Sequence, residues 1–352
     1  MKPFSICMIV KNEEKNIEKC LQAVTNFDCE ILVVDTGSTD RTIEIANRYA
    51  TKVLSFKWIN DFSAARNFSI ANATYDWILI LDCDEFVETA IPEQFLSLAT
   101  LNPTHIGLLE RINLTNPDSK KGAYTDQVPR FFNRNYFHYE GTIHEQVRSL
   151  TSSPLEGYYL PLTVIHTGYI GTPEERKAKH LRNLNMLQVE LEKHPDNPYI
   201  HFQIGQSYYN LFEYSAALEH YKFVIESGLN PQLEYHRLTV IAYGDCLANL
   251  NHLKEAQELI ALEESFGYSP DYHCLMGRIF YLAGNPLKAL SEFIIATSMN
   301  NPYKEGTNTY LSWYHIGLIN ESLGNQSNAC LFYEKCEDYE PALERLKKLK
   351  NT

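Results

Sequence analysis

Three carboxylates fall within four residues at Asp82-Cys83-Asp84-Glu85, directly after the apolar run 77–81. Like charges this close repel unless something positive lies among them. A divalent cation bridging a diphosphate meets that need, because hard cations take carboxylate and phosphate oxygens together. A solvated acidic loop or a helix cap has the same composition, so the segment alone does not decide. The chain contains neither G-x-x-x-x-G-K-[ST] nor G-x-G-x-x-G, and phosphate-loop hydrolysis and dinucleotide redox chemistry lose support. Two more polar clusters follow short apolar runs: Lys11-Asn12-Glu13-Glu14 and Asp35-Thr36-Gly37-Ser38-Thr39-Asp40.

Stepping from these clusters to the elements that carry them, the first half reads as alternating strands and helices. Strands are predicted over 4–10, 31–34, 53–56 and 77–81, and helices over 14–24, 41–49 and 62–73. Ile17, Leu21 and Val24 share one helical face, while 31–34 is continuously apolar, as in a strand buried on both sides. This alternation predicts a parallel sheet with helices on both faces. Such sheets bind ligands at the carboxyl ends of their strands, which is where the three polar clusters fall.

The second half has another grammar. Gly205, Gly244, Gly277 and Gly317 each have an alanine twelve residues later, at 217, 256, 289 and 329. Four residues after each alanine stands a large residue: Tyr221, Ile260, Phe293 and Tyr333. Small residues at fixed places let paired helices approach closely and the large ones fill the groove. This is the tetratricopeptide pattern, nominally about 34 residues long. The glycine spacings of 39, 33 and 40 imply inter-repeat loops of unequal length. A helix over 176–192 is predicted to join the halves. The expected organisation is 1–172 catalytic, 173–197 a linker helix, and 198–352 about four repeats.

The chain has 352 residues, with 31 basic and 44 acidic side chains and a net charge of −13. Residues 1–172 carry −6 and the remainder −7. Neither half has the clustered Lys and Arg of a nucleic-acid footprint or a polybasic membrane anchor. No apolar run approaches the roughly 20 residues of a membrane span. Lys11-Asn12-Glu13-Glu14 directly follows 4–10, with no small-residue cleavage site, so that run is expected to be a strand and not a leader. The eight cysteines form no C-x-x-C pair, which argues against a zinc site. Reduced thiols in the cytoplasm, including its membrane face, are expected.

Ser5-Ile6-Cys7-Met8-Ile9-Val10-Lys11-Asn12-Glu13-Glu14, Val33-Val34 with the 35–40 cluster, Asp61-Phe62-Ser63-Ala64-Ala65-Arg66-Asn67 and Asp82-Cys83-Asp84-Glu85 occur in that order. Together they resemble the motifs of family 2 glycosyltransferases. The subgroup resembled is bacterial, with tetratricopeptide repeats behind the catalytic domain. It includes lipopolysaccharide-core enzymes and S-glycosyltransferases of bacteriocin peptides. Cys83 departs from the alanine usual there, a small-for-small change. The fold implied is an α/β GT-A nucleotide-sugar-binding (Rossmann-like) domain followed by an all-α tetratricopeptide-repeat domain.

The activity implied is inverting, metal-dependent sugar transfer from a nucleotide-sugar with Mg²⁺ or Mn²⁺. By the resemblance, Asp35 reads the base, with UDP the first expectation because a carboxylate accepts the uracil imide proton. A helix-capping role for Asp35 is the alternative. Val10, Asn12 and Glu13 line the nucleotide pocket, Arg66 lies near base and diphosphate, and Asn67 supports it. Asp82 holds ribose or metal, and Asp84 ligates metal. Downstream, Arg130, His144-Glu145 and His166 fall in motifs resembling the acceptor side. Inversion needs one base; Glu145 is the first candidate and His144 the second. His166 is the candidate third ligand, with His144 its alternative, and Arg130 holds a phosphate or acceptor group or is a strand-edge cation. A nucleotidyltransferase and a repeat scaffold with an inactive front domain are the competing readings. Peptide, protein and glycan acceptors stay open, as does the sugar. The repeats, rich in Tyr208, Tyr209, Tyr214, Tyr303 and Trp313, are expected to hold a homodimer or an acceptor protein.

Overall fold

The computed structural model describes residues 4–114, 123–151, 155–168 and 170–350. The chain divides into two compact units, Met1–Arg176 and Lys177–Thr352.

The first unit is built on an eight-stranded mixed sheet. Its first part runs β1 (Ser5–Val10), α1 (Ile17–Val24), β2 (Glu30–Asp35), α2 (Thr42–Tyr49), β3 (Lys52–Ser55), α3 (Phe62–Asn72) and β4 (Trp77–Ile80). There follow β5 (Glu85–Ala90), α4 (Pro92–Leu101), β6 (Ile106–Asn113), β7 (Tyr124–Asn133), β8 (Phe137–Glu140), β9 (Gln146–Ser149) and β10 (Gly157–His166). The sheet order is β3-β2-β1-β4-β7-β6-β10-β5, and β8 and β9 form a separate ribbon.

The parallel sheet expected from the sequence is only half the sheet. β3, β2, β1 and β4 are parallel, whereas β7 runs antiparallel to both β4 and β6, and β5 antiparallel to β10. The inner parallel strands β1, β2 and β4 are mostly apolar because both faces are covered, and β2 is buried at every position, whereas the edge strand β3 has no buried position. One core cluster joins Ile6, Met8, Leu21, Val33, Leu79, Phe95 and Phe131. The segment 81–84 carries the chain from the sheet's centre at β4 to its far edge at β5. The acidic cluster therefore spans the sheet's carboxyl-end rim.

The second unit is all-helical. The helix α5 (Pro173–Lys193) carries the chain across the division. Then come α6 (Pro198–Asn210), α7 (Tyr214–Glu226), α8 (Glu234–Asn249), α9 (Leu253–Glu258), α10 (Glu263–Phe266), α11 (Pro270–Leu282), α12 (Pro286–Ser298), α13 (Tyr310–Ser322), α14 (Gln326–Glu334) and α15 (Glu340–Lys350). The four alanines of the repeat pattern are fully buried. A Cβ at Gly205 would meet the Tyr221 ring at 2.7 Å and one at Gly277 the Phe293 ring at 2.8 Å; one at Gly317 would collide with Tyr333.

The second repeat departs from its expected register. A Cβ at Gly244 would meet Leu259 at 2.8 Å and Leu275 at 2.7 Å, not Ile260. The cause is local: α9 ends at Glu258 and the chain tightens into a 3₁₀ turn over Leu259–Leu262. At about three residues per turn, the position above Ala256 is 259 instead of 260. Tyr208, Tyr209, Tyr214 and Trp313 are half-buried packing residues of this core; Tyr303 is the exposed one of the five named aromatics. Among the described residues, no helix is long and apolar enough to cross a membrane.

Candidate functional site

The first two strand-to-helix loops lock onto each other. Asn12 takes a left-handed backbone, with φ 57°. Its amide donates to Ser38 Oγ at 2.9 Å while its Oδ1 accepts from Thr39 N at 2.8 Å. Glu13 N donates to Thr42 Oγ1 at 2.7 Å, and Glu13 Oε2 accepts from Asn16 Nδ2 at 2.9 Å. The Val10 carbonyl accepts from Thr36 N at 2.9 Å and from Thr36 Oγ1 at 3.0 Å. Asp35, buried at the end of β2, accepts from Gly37 N at 3.0 Å and Ser38 N at 3.1 Å. It therefore caps its own turn, although an ionised carboxylate has further lone pairs to offer. These residues lie together at the carboxyl ends of β1 and β2.

Helix α3 places Arg66. Asp61 caps the helix by accepting from Ala64 N at 2.8 Å, an N-cap bond that fixes where the helix begins. Arg66 then falls on the buried face with Ala65, Ser69 and Ile70. Its Nε donates to Glu145 Oε1 at 2.5 Å and its Nη2 lies 2.8 Å from Asp82 Oδ1. The guanidinium carbon stands 5.5 Å from the centre of the Tyr139 ring. Asn67 braces that ring: Nδ2 donates to Tyr139 O at 2.8 Å and Oδ1 accepts from Tyr139 N at 2.9 Å. Its amide is thus held by β8, and its part is to position Arg66's neighbours.

The acidic cluster divides in two. Asp82 and Glu85 turn to arginines. Arg130 Nη2 is 2.7 Å from Asp82 Oδ2 and 2.7 Å from Glu85 Oε1. Glu85 is fully buried, accepts from Asp82 N at 3.1 Å, and lies 3.4 Å from Arg111 Nη1. Arg130 is on β7, between β4 and β6, so it is an interior cation and not one at a strand edge. Burial alone would raise the Asp82 pKa, but Arg66 and Arg130 outweigh it and hold the carboxyl well below its usual range. Burial would likewise lower Arg66 and Arg130, yet their carboxylate partners keep both firmly charged. The positive charge demanded by the acidic triplet is therefore supplied in part by the protein.

Asp84 goes the other way. Its Oδ2 lies 3.4 Å from His166 Nε2, while Thr167 N donates to its carbonyl at 2.9 Å. His166, at the end of β10, is paired with Asn113 on β6 and with Glu85 on β5. Its Nδ1 is 2.8 Å from Asn113 Oδ1. A Cβ on Gly168 would collide with both Asp84 Oδ2 and His166 Nε2; glycine keeps that space open. Among the described residues, no group of three His, Cys, Asp or Glu side chains is placed to hold a metal ion. The Asp82 oxygens face Arg66 and Arg130. His144 is exposed, in a left-handed backbone with φ 52°.

Sequence reasoning missed Arg111, Asn113, Asp126 and Tyr139. Arg111 and Asp126 are direct cross-strand partners and form a two-pronged ion pair at 3.0 and 2.7 Å. Aligning 106–113 against 124–133 as an antiparallel pair would have exposed that opposition of charges. Arg66 Nη1, Arg130 Nε and Tyr139 OH are buried with no hydrogen-bond partner among the described residues. Buried polar atoms left open mark a place where an acceptor or water from outside the chain completes the network. A cavity of about 480 Å³ lined by Phe27, Glu30, Thr74 and Leu96 lies at the opposite, amino end of the strands. Its Glu30 is occupied by Ser5 and Thr74.

A mixed sheet with turn-capped acids on its carboxyl rim, followed by helical hairpins, defines an α/β GT-A-like domain with an all-α repeat domain behind it. Residues 5–147 match the model of Glycosyl transferase family 2, and residues 310–343 match that of the Tetratricopeptide repeat. The chain thus has a glycosyl transferase family 2 domain at its amino end and a tetratricopeptide repeat toward its carboxyl end. It is 31% identical over 250 residues to a TPR repeat-containing protein of Synechococcus elongatus, covering 69% of this chain and 61% of that protein. It is 29% identical over 293 residues to the SPbeta prophage-derived glycosyltransferase SunS of Bacillus subtilis, covering 82% of this chain and 69% of SunS. An uncharacterized glycosyltransferase of Rickettsia typhi is 27% identical over 148 residues, 41% of this chain and 50% of that one. The family domain and these relatives support glycosyl transfer.

Proposed function

We propose that the chain is an inverting, metal-dependent glycosyltransferase that moves a sugar from a UDP-sugar to a peptide, protein or cell-envelope acceptor. The observation that carries this reading is the pair Asp84 Oδ2 and His166 Nε2, 3.4 Å apart beside the opening left by Gly168. Carboxylate and neutral imidazole suit Mn²⁺ or Mg²⁺, which keep their other positions for phosphate oxygens and water. When bound, such an ion neutralises the diphosphate as it leaves. Asp35 receives the uracil imide, with Val10, Asn12 and Glu13 forming the interlocked wall of that pocket. Arg66 holds Glu145 in a fixed place, ready to take the acceptor's proton as it attacks the anomeric carbon. His144 is the alternative base. Arg130 keeps Asp82 oriented at the rim.

The setting that goes with this reading is the cytoplasm. The repeats select the acceptor and hold a second copy of the chain, a point that light scattering on the full chain checks by mass. Isothermal titration of UDP with Mn²⁺ tests the site: Asp84→Ala loses UDP affinity while its fold, read by circular dichroism, is unchanged. Equal UDP affinity in that variant rejects the assignment. Absence of UDP binding and of UDP-sugar turnover in the wild type leaves the repeat scaffold as the better reading.

A further inference from the structure

Asn113 is fully buried at the carboxyl end of β6. Its Nδ2 donates to Asp126 Oδ1 at 3.0 Å. Turned over, the amide would set its oxygen against that carboxylate, so the orientation is dictated by Asp126. Asp126 is in turn pinned by both prongs of Arg111, whose Nη1 reaches Glu85 at 3.4 Å. The amide oxygen of Asn113 therefore has one place left to face, and at 2.8 Å it faces His166 Nδ1. An amide oxygen only accepts, so Nδ1 must carry the proton. In the neutral ring Nε2 is then a lone pair, 3.4 Å from the lone pairs of Asp84 Oδ2. Two acceptors so close are complementary beside a cation, whereas in the imidazolium form Nε2–H would pair with Asp84 directly.

We propose that Asn113 is a positioning residue: held by Asp126 and Arg111, it fixes His166 in the Nδ1–H tautomer and turns Nε2 toward the metal beside Asp84. This rests on the metal-site reading above and deepens it. The chain Glu85–Arg111–Asp126–Asn113–His166 links the arginine-paired half of the acidic cluster to its metal half, so a single network sets both. Outer-shell partners of this kind change metal affinity by roughly 10–100-fold when removed.

The test uses the full chain and two readouts. Long-range ¹H–¹⁵N NMR of the metal-free protein at pH 8.5, with the His166 signal assigned by its loss in His166→Gln, reports the tautomer directly. Mn²⁺ binding in the presence of UDP is followed by the electron paramagnetic resonance of free Mn²⁺. Expected are the Nδ1–H tautomer in the wild type, and Mn²⁺ affinity roughly 10–100-fold weaker in Asn113→Leu. Asn113→Asp keeps the oxygen facing Nδ1 and keeps the affinity, although a second carboxylate against Asp126 lowers its melting temperature. A merely structural role would make affinity follow melting temperature in both variants, and that result overturns the proposal. An Nε2–H tautomer in the wild type overturns it without any variant. If the wild type shows Nδ1–H but binds no Mn²⁺ with UDP, the metal-site reading falls and takes the proposal's metal step with it.

Discussion

Glu85→Gln removes one charge from a fully buried point of the first unit. Glu85 is fully buried and takes three contacts: Asp82 N at 3.1 Å, Arg130 Nη2 at 2.7 Å and Arg111 Nη1 at 3.4 Å. Removing one partner of a buried ion pair costs about 3–5 kcal/mol, because the other charge stays desolvated without compensation. Two features put this case at the lower end. Glutamine keeps an oxygen for the Asp82 amide, and Arg130 retains Asp82 Oδ2 at 2.7 Å. A loss of about 3 kcal/mol follows. For a unit of this size each kcal/mol lowers the melting temperature by about 2–4 °C, so the first unit's calorimetric transition should fall by about 6–12 °C. Glu44→Gln is the comparison: that residue pairs with Arg41 and Arg48 on the exposed face of α2, where ion pairs are screened. A shift in Glu85→Gln no larger than in Glu44→Gln would refute the view that Glu85 is the electrostatic anchor of the rim.

Gly168→Ala puts a methyl group against both Asp84 Oδ2 and His166 Nε2; Mn²⁺ affinity with UDP present, read by paramagnetic resonance, should fall by about tenfold or more. Unchanged affinity would remove that pair as the metal's seat. In the repeats, burial and then the neighbouring His201 hold the His220 imidazole down to about 4 from the ordinary 6.5. The unfolded chain therefore takes up this proton first as pH falls, and the contribution to stability is lost between pH 6.5 and about 4. Urea midpoints at pH 7 and pH 5 should differ less in His220→Gln than in the wild type, and an equal difference in the two would count against the assignment.

The parts of the fold readable in the sequence were those in which periodicity and burial agree. β1, β2 and β4 are apolar runs because parallel strands are covered on both faces, and the helices between them show their inward stripes. The mixed half of the sheet was not legible. Its strands β6, β7 and β10 carry no regular polar–apolar alternation, and their partners are set by tertiary pairing. The Gly–Ala–aromatic register identified the repeats, but the 3₁₀ turn at Leu259–Leu262 replaced Ile260 by Leu259. No propensity marks that turn.

In the site, the same limit decided which acids stood together. Spacing made Asp82, Asp84 and Glu85 look like one anionic group. The backbone separates them: Glu85 opens β5 and points into the unit, Asp82 meets Arg66 and Arg130, and Asp84 meets His166. Arg111 and Asp126 meet across the consecutive strands β6 and β7, but the contact of Asn113 with His166 joins β6 to β10, 53 residues further on, and became visible only in register.

That separation bears on how a diphosphate could be attracted here. Arg66, Arg111 and Arg130 are cations that a phosphate would seek, but each is already bound to a carboxylate. Against these three guanidiniums stand Asp82, Glu85, Asp126 and Glu145, leaving the network one charge negative, and Asp84 makes it two. A diphosphate approaching this rim meets net negative charge, and beyond Arg66 Nη1 and Arg130 Nε the donors of Arg66 and Arg130 turn to it only by abandoning buried partners at several kcal/mol each. In the reading proposed above, a divalent cation beside Asp84 and His166 would restore neutrality and present positive charge where the phosphates would lie. The arginines thus build the rim, and such a cation would make it attractive. On this argument UDP binding depends on metal steeply, while the fold of the empty site does not.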